Sequence, residues 1–297
     1  MKVLPLHREG WGVVRFGAGI PGTARPKTSV LRAGLRFARV QCHADAPSLE
    51  NYKPGNQMIW DTKQLEDHVR SLYGDGLSRQ LAPSLQSWKW RTGFAQYHYD
   101  SAQKEMQVGL GQRDSQEIVC LILGFEGDEA LHAYHVAQRK ALANYVACIQ
   151  SMHALADTFA HVIYFGLALE LSEHTRIEER YISIHNVAKK LTDVQDAVRL
   201  HALVQELKDH PEFKYLNRLT NLAKHRAVVD ARYNISCVDG VPDGFQLPAF
   251  STDGVAYPAR TLENVLSEEF RRQNVLQVDI GCELNDILVK RLGACPP

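Results

Sequence analysis

Residues 128–171 read DEALHAYHVAQRKALANYVACIQSMHALADTFAHVIYFGLALEL, a run of 44 residues with one glycine, Gly166, and no proline. Apolar side chains recur three and four apart through Leu142, Tyr145, Ile149, Met152, Phe159 and Ile163. That spacing puts them on one stripe of an α-helix. The preceding Gly127 and the acids Asp128 and Glu129 suit a helix start, where carboxylates face unpaired backbone N–H groups. At 1.5 Å per residue the run would reach about 65 Å, so a break within it is expected.

Outward from this helix the pattern stays helical. Toward the N-terminus, Thr62–Tyr73 and Leu77–Met106 are predicted helices, the second broken near Pro83 or Gly93, where backbone hydrogen bonding or propensity is weakest. Ile118–Leu123 (IVCLIL) is too short to choose between strand and helix. Toward the C-terminus, helices are expected over Ile177–Leu191, Val194–Lys208 and Pro211–Ala231, the last opened by proline in its favoured first turn. Tyr233–Val238, Gly244–Phe250 and Val255–Pro258 then read as short strands joined by the turn sequences VPDG and STDG. Thr261–Leu292 closes the chain as a helix or a pair broken near Gly281. The expected fold is mainly α: a helical bundle with a small antiparallel β-meander before the C-terminal helix. Residues 58–297 form its single domain. Residues 1–57 are set apart, since Met1–Arg39 holds eight Lys or Arg, one acid (Glu9) and scattered Gly and Pro, the composition of a disordered basic extension.

Composition excludes several functions. Lys plus Arg equals Asp plus Glu, 34 against 34, so tight non-specific duplex binding is not expected of a chain with no basic excess. The six cysteines, at 42, 120, 148, 237, 282 and 295, form no CxxC or CxxH pair, which leaves a zinc site without support. No apolar run is long enough to span a bilayer. A cytoplasmic protein with reduced thiols, no membrane partner, no cofactor and no metal is expected.

The chemistry concentrates in FKYLNRLTNLAKHRAVVDARY, residues 213–233. With about 100° per residue, His225 falls only about 20° from Arg218, with Asn221 and Lys214 on the same side. Arg218, Asn221 and His225 therefore make one polar stripe, bordered by Tyr215, Leu222 and Val229, with Leu216, Ala223 and Ala227 opposite. Histidine titrates near neutrality and can donate or accept a proton, and arginine can grip a phosphate with two parallel N–H groups. Taken alone, an Arg and a His seven apart also suit a purely structural role.

The stretch resembles the signature of the HEPN superfamily, whose members carry an arginine, a spacer of four to six residues and a histidine on one helix of a bundle. Asn221, Lys224, His225 and Arg226 (N-x-x-K-H-R) are similar to a variant in a bacterial branch of that superfamily, where the helix leads into short strands. The resemblance covers roughly residues 125–290. It implies metal-independent RNA cleavage by a homodimer that pairs two such motifs, in a stress or defence setting. Carried over by residue, Arg218 and His225 would be catalytic, while Asn221, Lys224 and Arg226 would bind substrate. One position departs from the active pattern: a polar residue usually follows the arginine, and here it is Leu219. A non-catalytic module binding RNA, a nucleotide or a protein through the same stripe is the alternative, and a structural scaffold is a second.

Other candidates carry less. Glu129, His132 and His135 resemble part of a metal-binding helix but lack a second ExxH partner. Asp157 and His161 lie four apart in an apolar segment, as a satisfied pair would. Cys148 fits a small core side chain. Trp88 and Trp90 beside Arg91 suit base stacking, though alternation between core and surface explains them more simply.

Overall fold

The computed structural model describes residues 60–225, 231–235, 243–252 and 254–294, without the side chain of His225. The expected N-terminal extension over 1–57 lies outside them. The described residues all fall within one compact unit. Among the described residues the elements are α1 (Thr62–Tyr73), α2 (Asp75–Leu110), α3 (Ser115–Ile122), α4 (Asp128–Gly166), α5 (Ile184–Leu191), α6 (Val198–Asp209), α7 (Pro211–His225), β1 (Arg232–Asn234), β2 (Gly244–Leu247), β3 (Phe250–Thr252), β4 (Val255–Tyr257), β5 (Arg260–Thr261) and α8 (Leu262–Ala294). The protein is mainly helical, with a small group of antiparallel strands before its C-terminal helix.

The long helix is α4, and it ends at Gly166; Ala168 then turns left-handed (φ 56°) into one turn of 3-10 helix, Leu169–Leu171. It pairs antiparallel with α2. Trp88 packs on Phe159 at 5.9 Å, His98 meets Asn144 at 3.0 Å, and Glu105 reaches Lys140 at 3.5 Å. Near the turn, Gly109 lets α2 approach until a side chain there would collide with Ala137. The expected break in α2 does not occur. Pro83 and Gly93 both lie on its solvent side, where a carbonyl deprived of its donor meets water and the glycine's propensity cost is small against the packing.

The ambiguous segment is helical through Ile122, with Leu123 as its C-cap, because Asp114 and Glu117 form a capping box that nucleates α3. Helix α5 starts at Ile184 rather than Ile177, where Ser183 caps it; the preceding residues make a 3-10 turn over Glu179–Tyr181. Helix α7 is described to His225, and its expected continuation to Ala231 falls mostly on residues outside the described ones. The strands do not form one meander. β1, β2 and β5 make an antiparallel sheet in the order β1-β2-β5, while β3 and β4 pair separately. Gly254 (φ 76°) turns that hairpin, and Phe250 stacks on Tyr257 at 4.8 Å.

Two apolar cores lie along the α2–α4 hairpin. One joins α1 and the first half of α2 to the second half of α4, α5, α6 and the second half of α8. The other joins the remaining halves to α3, α7 and the strands. Helix α8 contributes to both without a break at Gly281, whose missing side chain leaves room for the Trp60 indole. Several of its buried polar residues hold a partner, as low-dielectric surroundings favour, while Gln273 Oε1, Gln277 Nε2 and Asn285 Oδ1 are buried without one. Glu269, with no exposed area, takes two 2.7 Å bonds from Arg272 and one of 2.9 Å from Gln273, and Gln277 accepts from the Trp88 indole at 2.6 Å. Arg272 also donates to the carbonyls of Glu206 and Leu207, which lack partners at the end of α6.

Candidate functional site

Helix α7 begins at Pro211, and the imidazole Nδ1 of His210 accepts from the Glu212 N–H at 3.3 Å. Phe213, Tyr215, Leu216, Leu219 and Thr220 are buried, so a broad face of the helix is fixed in the core. Tyr215 holds the strands, packing on Phe250 and Tyr257 at 5.5 and 5.8 Å beneath the Arg260 guanidinium at 5.1 Å. What remains outside is the arc carrying Lys214, Arg218 and Asn221, with Lys214 and Asn221 exposed and Arg218 half-buried. Lys224 is exposed on the edge turned toward α4. His225 is the last described residue of α7, its side chain outside the described residues; Arg226 lies wholly outside them. Leu219 is 2% exposed, locked in the core shared with the strands, so no polar group can stand there without loss of packing.

The structure adds two residues that sequence reasoning missed. The Asn217 Oδ1 accepts from the Asn221 Nδ2 at 3.2 Å and from the Nε2–H of His153, on α4, at 3.0 Å. Because an amide oxygen only accepts, the proton of neutral His153 is on Nε2, and Nδ1 keeps its lone pair. Asn221 is thereby tied through Asn217 to an imidazole on the neighbouring helix. Burial holds His153 below the usual histidine range; the Asn217 bond opposes this, Lys224 adds to it, and Asp157 opposes it.

His153, Asp157 and His161 follow four apart on one face of α4, and that spacing is the signal that would have found them. Asp157 accepts from the Ile184 N–H at 3.3 Å, at the start of α5, where carboxylate and helix dipole attract. Its charge acts on three imidazoles, His153, His161 and His185, and raises each. Burial outweighs it in every case, so all three are held below their ordinary value. The expected Asp157–His161 hydrogen bond is not made: Asp157 accepts from the Ile184 N–H instead and acts on His161 only through its charge. Neutral imidazoles can accept protons, whereas no group of three or more His, Cys, Asp or Glu among the described residues is placed to hold a metal ion.

The remaining candidates are structural. Trp88 is in the first core and Trp90 is exposed, as core-and-surface alternation requires. Burial pushes the Cys148 thiol up, leaving it unreactive beside Met152. His135 and Arg139 line a cleft of about 470 Å3 between α4 and β1, with no residue of α7 in its lining. No helix among the described residues is long and apolar enough to cross a membrane. Compared with protein-family models, with curated proteins and with solved structures, the chain matches none.

Proposed function

We propose that the protein is a HEPN-like protein that acts on RNA through the outer arc of α7, as a metal-independent endoribonuclease working as a homodimer in stress or defence. The observation that carries this reading is the relay from Asn221 through Asn217 to the neutral imidazole of His153. It fixes an amide and a proton acceptor next to Arg218 and Lys224, whose charges suit a phosphate. In this reading His225 transfers the proton and Arg218 offsets charge developing on the phosphate. Asn221, Lys224 and Arg226 hold the substrate.

The decisive experiment is RNA cleavage by purified protein in EDTA, comparing wild type with His225→Ala and Arg218→Ala after circular dichroism shows all three folded alike. Cleavage that survives chelation and drops about 100-fold or more in both variants supports an enzyme. Absence of cleavage with RNA still bound favours a second reading, a non-catalytic RNA-binding module. One observation favours that alternative: Leu219 is buried where active members carry a polar group.

A further inference from the structure

Helix α2 turns three large aromatic rings to solvent at a spacing of four and three: Trp90 is 57% exposed, Phe94 47% and Tyr97 65%. Core packing does not explain them, and three exposed rings on one helical stripe mark an interaction surface. Trp90 and Phe94 lie 5.7 Å apart with their planes inclined by 33°, so they offer a nearly continuous π-surface. Arg79 and Lys104, both exposed, extend the same stripe by helical register over about 38 Å, and Arg91 flanks it. Of the three acids of α2, Asp75 pairs with Arg70 at 3.3 Å and Glu105 with Lys140 at 3.5 Å, while Asp100 takes bonds of 2.8 and 2.9 Å from the Gln96 amide of the same helix. The stripe is aromatic at its centre and cationic at both ends.

We infer that this face of α2 binds single-stranded RNA, with bases stacked on Trp90, Phe94 and Tyr97 and phosphates drawn to Arg79, Arg91 and Lys104. Aromatic rings interleaved with cations stack any base and track a charged backbone. A duplex hides its base faces, so the same stripe discriminates against it, consistent with a chain whose net charge is zero. A second copy of this chain fits poorly. An antiparallel copy sets Arg79 beside Lys104, and a parallel one sets each cation beside itself, so both meet like charge with like. Between Arg79 and Lys104 the stripe carries no exposed aliphatic side chain for helices to interdigitate; Val108, 73% exposed, lies one turn beyond. This surface stands apart from the α7 reading, and either can fail without the other.

The test measures fluorescence anisotropy of a labelled oligouridylate at low and moderate salt, using the full chain. The variants are Trp90→Ala, Phe94→Ala with Tyr97→Ala, Arg79→Ala with Lys104→Ala, and Arg218→Ala as the reference for the other site. The expected result is about five-fold or greater weakening for each aromatic change. The cation pair should weaken binding and flatten its salt dependence, and excess duplex RNA should compete poorly. Binding abolished by Arg218→Ala alone and untouched by the aromatic changes would overturn the inference while leaving the α7 reading intact. So would an oligouridylate that does not bind. A concentration-dependent dimer seen by sedimentation and lost in Trp90→Ala would overturn it too, assigning the stripe to a second copy.

Discussion

His153 joins two helices and titrates under opposing influences. Burial and Lys224 hold its pKa down while Asn217 and Asp157 pull it up, with burial the larger. A histidine whose folded pKa lies below its unfolded value of about 6.5 adds stability above that value. The contribution is lost as pH falls through the folded pKa, because the unfolded chain binds the proton first. His161 and His185 have the same sign. Through these imidazoles acidification from pH 7.5 to 5.5 should lower the urea midpoint, and His153→Gln, whose amide still donates to Asn217, should lessen that effect relative to wild type. An unchanged slope in the variant would mean that His153 is not held neutral by the fold. Glu263 has the opposite sign. Its Oε1 accepts from the Phe245 N–H at 3.0 Å and from the Tyr145 hydroxyl at 3.2 Å, while Oε2 is buried without a partner. Burial raises this carboxyl, so the fold is favoured while it is protonated and loses stability as pH rises through its folded pKa. Glu263→Gln keeps both accepted bonds and sheds the charge, so stability at pH 7.5 should be equal to wild type or higher. A marked loss there would show that the anion is needed.

At the scale of elements, legibility followed packing. Periodicity read α1 to its observed limits and placed α4 and α8, because each buries a long apolar stripe and the pattern records that burial directly. The misreadings came where a local rule met a tertiary answer. Pro83 and Gly93 suggest a break that α2 avoids by facing them to water, and the capping box of α3 decided a segment whose apolar run could not. At the candidate site, the α7 arc was legible from helical spacing. Its link to His153 was not, since Asn217 and His153 lie 64 positions apart and only the packing of α4 on α7 joins them. Gly281 shows the same limit: it reads as a breaker, yet it is kept for space beneath Trp60. Gly281→Ala should destabilise by about 1–3 kcal/mol through overpacking, despite alanine's better helix propensity. The smaller ring of Trp60→Phe should lessen the cost of that alanine, a coupling readable from a double-mutant cycle. Additive effects in the cycle would mean that the glycine serves some other purpose.

The described residues form two cores strung along one hairpin. Helices α2, α4 and α8 each run through both, so neither core can open without freeing half of three helices. Each freed half would expose an apolar stripe, and its ladder of hydrogen bonds would have to end in mid-helix. The expected consequence is one cooperative transition rather than two. The aromatic residues allow the test: Trp60 lies in the first core with Trp88 packed against it, while Tyr99, Tyr134, Tyr145 and Tyr215 lie in the second and only Tyr164 is a buried tyrosine of the first. In Trp90→Phe, tryptophan fluorescence would report mainly the first core and tyrosine near-UV circular dichroism the second. Their urea curves should coincide in midpoint and slope. Phe245→Leu, in the second core, should shift both curves together by an equivalent of about 1–2 kcal/mol. A shift confined to the tyrosine signal would show that the cores unfold separately, and that the hairpin joins two units instead of making them one.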